Sequence, residues 1–181
     1  DLVIKNSKCI VVDTNLKKEV LEYILSTYKD KDIFLDTVST TKAMKFRGSI
    51  GYFHTIKPNK IEAEELSGIK ITKDKDLEKA IKYFLNQGVK NVIVSLGEKG
   101  VAYGNSHGIG YLKNKPIKMV NATGAGDAFI AGLVYGHMMD FDIRTACKYS
   151  MAAAIMALSH KDTINPNLCV QRIESIIEEM K

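Results

Sequence analysis

Two short apolar runs constrain this chain more than any other feature: Cys9-Ile10-Val11-Val12-Asp13 and Asp32-Ile33-Phe34-Leu35-Asp36-Thr37-Val38. Neither alternates apolar with polar residues, so each reads as a strand covered on both faces. Between them, Leu16, Val20, Tyr23, Ile24 and Thr27 recur at helical spacing over 16–28. Strand, helix, strand with short connections is the unit from which parallel sheets are built.

The rest of the chain continues that pattern. Gly51 to Ile56 reads as a third strand stopped by Pro58, and Asn59 to Ser67 as a short helix. Lys73 to Gln87 places Leu77, Ala80, Ile81, Phe84 and Leu85 on one helical face, with Gly88 as its stop. Asn91 to Leu96 is the next strand. Gly97-Glu98-Lys99-Gly100 has turn chemistry, and Val101 to Tyr103 starts a return strand. Extended pieces over Gly108–Leu112 and Lys115–Val120 lead into two apolar helices, Gly124–Met139 and Ile143–Leu158. Asn165-Pro166 marks a break and a helix start, and Leu168–Met180 reads as a closing amphipathic helix. The expected architecture is α/β, with one mainly parallel sheet and helices on both faces.

With 181 residues, of which 45% are hydrophobic, the chain suits one well-buried domain over 1–181. It begins at Asp1 and reaches its first strand within a few residues, as expected of part of a longer protein. The net charge is +5, and all but Arg47, Arg144 and Arg172 of the 26 basic residues are lysine. These lysines are interleaved with acids, which describes a solvated surface and not a nucleic-acid face. Cys9, Cys147 and Cys169 are odd in number and lack C-x-x-C spacing, which fits a reducing cytoplasm. The longest strongly apolar stretch, Met151 to Leu158, is too short to span a bilayer. His54, His107, His137 and His160 show no metal-ligand spacing, and no G-x-S-x-G elbow exists.

Three stretches carry chemistry. In Thr123-Gly124-Ala125-Gly126-Asp127, small residues open a helix. Its N–H groups and partial positive charge suit a phosphate, while a plain reading makes Thr123 the N-cap and Asp127 a first-turn acid. Phe129 stands where a G-x-G-x-x-G/A dinucleotide fingerprint needs Gly or Ala, and no Walker A loop occurs. Asn59-x-x-Glu62 is either a capping box or the polar helix end that holds Mg²⁺ through water. Ser95-x-Gly97-x-x-Gly100 is either a hairpin turn or the border of a nucleotide site.

In order and spacing, Pro58-Asn59-x-x-Glu62, Ser95-Leu96-Gly97-x-x-Gly100, Ala122-Thr123-Gly124-Ala125-Gly126-Asp127-x-Phe129 and the small-residue helix over Ala152–Leu158 resemble the C-terminal part of the PfkB, or ribokinase-like, sugar and nucleoside kinases. The resemblance implies a ribokinase-like fold without its lid. It also implies a phosphotransferase with ATP as co-substrate and Mg²⁺ as cofactor. Asp127 would be the catalytic base, and Gly124, Ala125 and Gly126 the anion hole. Ser95, Gly97, Gly100, Thr123 and Ser159 would contact ATP, and Asn59 and Glu62 would organise Mg²⁺. Asn121-Ala122 and Ser159-His160-Lys161-Asp162-Thr163 depart from the family pattern where several members hold a monovalent cation, so K⁺ is left unassigned.

Asp36–Ala43, His54–Asn59 and Ser159–Asn167 further resemble segments of bacterial pseudouridine kinases, which makes the 5′-hydroxyl of pseudouridine the expected acceptor. A free-sugar kinase and a non-catalytic nucleotide-binding module are the alternatives. The implied partners are ATP and a small nucleoside or sugar, with a homodimer of the longer protein, and neither nucleic acid nor membrane. The family's N-terminal sugar-binding motif would lie upstream of Asp1, leaving this stretch inactive alone.

Overall fold

The computed structural model describes residues 2–114 and 119–180. In chain order its elements are α1 (Leu2–Asn6), β1 (Cys9–Asp13), α2 (Lys18–Thr27), β2 (Asp32–Asp36), α3 (Thr40–Ala43), β3 (Thr55–Lys57), α4 (Lys60–Ser67), α5 (Asp74–Gln87), β4 (Asn91–Ser95), β5 (Val101–Asn105), β6 (Gly108–Leu112), α6 (Ala125–Met138), α7 (Ile143–Leu158) and α8 (Val170–Glu179). The six strands form one sheet in sequence order. β1 to β4 are parallel, with Asp13 opposite Asp36 and Asp36 opposite Lys57, so their carboxyl ends line up. β5 and β6 are joined by Ser106 and His107 alone, a link short enough only for an antiparallel pair.

The chain divides into two compact units. The first, Asp1–Leu96 with Ala102–Gly110, holds the parallel strands. Its core is made by Ile33, Phe34 and Leu35 of β2, Val92, Ile93 and Val94 of β4, and the buried stripe Leu77, Ala80, Ile81 and Phe84 of α5. The second, Gly97–Val101 with Tyr111–Lys181, is mainly helical. There α6 and α7 pack so closely that a Cβ on Gly132 would lie 2.5 Å from Ser150 Cα. Ala128, Ala152, Ala153, Met156, Ala157 and Ile173 close its core. No helix among the described residues is long and apolar enough to cross a membrane.

Several expectations are corrected. The strand expected over Gly51–Ile56 is only Thr55–Lys57, and Met44–Tyr52 is a 3-10 stretch. Tertiary packing overrides the strand propensity of Tyr52 and Phe53: Phe46, Ile50 and Phe53 are drawn into the core. Gly51 is pressed against the end of α5, where a Cβ would meet Gln87 O at 1.9 Å. The first residues form α1 before any strand. Of the extended piece expected over 115–120, residues 115–118 lie outside the described residues, and Met119 and Val120 form no strand. Asn165-Pro166 does not start the last helix; a turn follows it, and α8 begins at Val170.

Candidate functional site

In open parallel sheets, ligands meet the carboxyl ends of the strands. In the first unit that edge carries Asn59, Glu62 and Ser95. Asn59 is the N-cap of α4: its Oδ1 accepts from Glu62 N–H at 2.9 Å, and Glu62 Oε2 accepts from Asn59 N–H at 2.9 Å. The capping box expected from the sequence is therefore present. Asn59 also bridges Ser95 across the strand ends, with Ser95 N–H donating to Pro58 O at 3.0 Å. These three expected site residues are brought together.

Glu62 does more than cap. It is buried, and its Oε2 also accepts from the Thr37 hydroxyl. Its Oε1 has no hydrogen-bond partner among the described residues. A carboxylate fixed by one oxygen and open at the other fits a hard cation or that cation's water, so the donor set is compatible with Mg²⁺. Beside it lies a buried ion pair, Lys57 Nζ to Asp36 Oδ1 at 3.1 Å. Burial pushes the Asp36 carboxyl above the ordinary carboxylate range, against the opposing pull of Lys57.

Thr14, Thr37, Asp36 and Lys57 were given no site role by the sequence motifs. One signal was available: an Asp-Thr pair ends each of the first two strands, at Asp13-Thr14 and Asp36-Thr37. The register sets the two pairs side by side. Next to Thr37, Val38 has φ 48°, in the left-handed region. For an exposed β-branched residue this is an outlier costing about 1–3 kcal/mol.

In the second unit, the opening of α6 is built on glycine. Gly124, not Thr123, is the N-cap, at φ 83°. A Cβ there would sit 2.4 Å from Thr163 O, so both the conformation and the space require glycine. Thr123 is exposed, and its N–H donates to Asn121 Oδ1 at 2.9 Å. The first bond into the helix is Ala128 N–H to Gly124 O at 2.9 Å. The N–H groups of Ala125, Gly126 and Asp127 therefore have no backbone acceptor among the described residues, the usual condition of a first turn. Asp127 is exposed on that same turn and makes no hydrogen bond or ion pair among the described residues.

The loop before α6 is tied to the loop after α7. Val120 and Asn121 N–H groups share Leu158 O at 2.8 and 3.1 Å, and Asn121 Nδ2 donates to Lys161 O at 2.9 Å. Ser159 follows as the C-cap of α7, its hydroxyl bonded to Met156 O at 3.1 Å. Gly97 and Gly100 flank a short 3-10 turn that Asn114 Nδ2 fastens at Gly97 O, 3.1 Å away.

Comparison with known proteins identifies the family. The model of the pfkB family of carbohydrate kinases matches residues 2–168. The chain belongs to the pfkB family. Among family members, the pseudouridine kinase of Escherichia coli K12 is 35% identical over 178 residues, covering 97% of this chain and 56% of its own length. The crystal structure of a Clostridium perfringens protein named as a putative sugar kinase superposes with a TM-score of 0.94 at 38% identity, over 98% of this chain and 56% of that one. Arabidopsis thaliana ribokinase, solved with ribose and ATP, shares the fold with a TM-score of 0.85 at 18% identity, over 98% and 58%. The chain thus spans somewhat more than half the length of each of these three proteins, and its fold is the ribokinase-like α/β fold.

Proposed function

We propose that the full-length protein transfers the γ-phosphoryl group of ATP to the 5′-hydroxyl of pseudouridine. The observation that carries this reading is the open first turn of α6, where N–H groups without a backbone acceptor among the described residues and the exposed Asp127 stand together in a pfkB-family chain. In phosphoryl transfer the transition-state charge lies on the phosphoryl oxygens, so positioned donors provide most of the stabilisation. The N–H groups of Gly124, Ala125 and Gly126 are the proposed donors. The acceptor oxygen attacks the γ-phosphorus, the bond to the β-phosphate oxygen breaks and ADP leaves. The hydroxyl proton passes to the Asp127 carboxylate. Ser95, Gly97, Gly100, Thr123 and Ser159 are proposed to line the nucleotide. Bound through water at Asn59 and Glu62, Mg²⁺ would supply positive charge against the phosphate oxygens.

The likeness to the E. coli pseudouridine kinase supports the choice of acceptor. Three free cysteines accord with work in a reducing cytoplasm. A homodimer of the longer protein belongs to the same reading. The test is turnover of the full-length protein with Mg·ATP on pseudouridine, ribose and fructose, with the product's phosphate position read by NMR. Pseudouridine 5′-phosphate as the preferred product is expected. Preference for ribose or fructose would replace the acceptor assignment, and ATP binding without transfer to any of them would leave a non-catalytic module.

A further inference from the structure

Thr14 and Thr37 are both fully buried, and neither has been given a site role above. A buried hydroxyl must find a partner, and for Thr37 the undemanding one is close by: Lys57 O lies 3.3 Å from its Oγ1. The Thr37 hydroxyl instead makes its shorter contact with Glu62 Oε2. Behind it, the Thr37 carbonyl is held twice. It accepts from the Thr14 hydroxyl at 2.6 Å and from Ser39 N–H. The second bond closes a three-residue turn around Val38, the residue kept at positive φ. Thr14 is itself pinned by its N–H to Asp36 O at 3.2 Å. A line of hydrogen bonds therefore crosses the carboxyl ends of the first two strands and ends on one oxygen of Glu62, leaving the other without a hydrogen-bond partner among the described residues.

We infer that Thr14 and Thr37 are positioning residues that fix the orientation of the Glu62 carboxylate and so set the affinity of the site for its divalent cation. This rests on the reading of Glu62 as a metal-side group. Groups standing behind a ligand in this way typically change metal affinity about 10- to 100-fold when removed. Thr37→Val keeps the shape and deletes the hydroxyl, Thr37→Ser keeps the hydroxyl, and Thr14→Val cuts the line one bond further back.

The experiment measures Mn²⁺ affinity in the presence of ADP by electron paramagnetic resonance on the full-length protein, with thermal melts alongside. Thr37→Val is expected to weaken Mn²⁺ about tenfold, Thr14→Val by a smaller factor, and Thr37→Ser hardly at all. Glu62→Gln is the reference. If it weakens Mn²⁺ while Thr37→Val does not, the positioning role is wrong and the kinase reading stands. If Glu62→Gln changes nothing, the metal assignment falls, and the inference with it. A Thr37→Val protein that lowers the melting temperature yet binds Mn²⁺ normally has lost packing alone, which also overturns the inference. Should Thr37→Val not fold, Thr14→Val decides by the same reading.

Discussion

The candidate residues of the two units handle polarity in opposite ways. At the carboxyl edge of the sheet, Glu62, Thr37, Thr14 and Lys57 are buried, and each is held by other protein groups. At the start of α6, the backbone donors and Asp127 are left open. Burial compels the first arrangement, since an unpaired buried polar group costs about 1–3 kcal/mol. Exposure permits the second, because water satisfies a helix start until a ligand replaces it. One is held by protein groups; the other is left to solvent.

That contrast is broken most sharply at Asp127. Asp127→Asn in the full-length protein is expected to lower kcat about a thousandfold, within the usual range for a lost general base. The melting temperature should stay within a degree, because the exposed side chain makes no hydrogen bond or ion pair among the described residues. Steady-state kinetics and calorimetry check the two halves of this statement. Unchanged turnover would remove Asp127 from the chemistry.

The buried edge should respond the other way, in stability. Asp36→Leu removes the acceptor altogether, leaves the Lys57 ammonium without its partner and is expected to cost about 3 kcal/mol by urea unfolding. The pH dependence sharpens the point. The folded Asp36 carboxyl holds its proton to higher pH than an unfolded aspartate does, because burial disfavours its charge. Its contribution to stability is full below the ordinary aspartate value and is lost as pH rises through the raised folded-state value. Stability measured from the ordinary aspartate range upward should show that decline in the wild type, and Asp36→Asn should lack it.

What could be read from the sequence follows the same division. Local patterns gave β1, β6 and α7 at their observed ends, because an apolar run or a helical stripe is decided by neighbours in the chain. The capping box at Asn59 and Glu62 was legible for the same reason, its two members lying three residues apart. The open turn of α6 was legible from its glycines, although the cap moved from Thr123 to Gly124 because Thr163 O leaves no room for a Cβ. The line from Thr14 to Thr37 to Glu62 was not legible, since its bonds join residues 23 and 25 positions apart. Strand register creates them, and register is a property of the folded sheet. The misread strand at Gly51 has a like cause, the distant end of α5.

Left-handed backbone offers a finer comparison, because each unit places it beside the proposed chemistry: Gly124 at φ 83° and Val38 at φ 48°. Gly124→Ala adds a Cβ both to a left-handed residue and to a gap of 2.4 Å, and is expected to destabilise by about 2–3 kcal/mol.

The reverse exchange has the opposite sign and the smallest size. Val38→Gly removes the conflict between a β-branched side chain and positive φ, at the cost of a more flexible unfolded chain. Val38 is half exposed, so little packing is lost with it. The two terms leave a net gain of about 1 kcal/mol, since the strain is about 1–3 and the penalty for glycine about 0.5–1. Urea unfolding of the single variant measures it. A loss of stability would mean that the turn after β2 carries no strain and that Val38 contributes through contacts instead. A gain would show that the hydrogen bonds to the Thr37 carbonyl hold a turn its own sequence resists. The buried edge would then be maintained at a cost in stability, while the open edge, with glycine already in place, bears none.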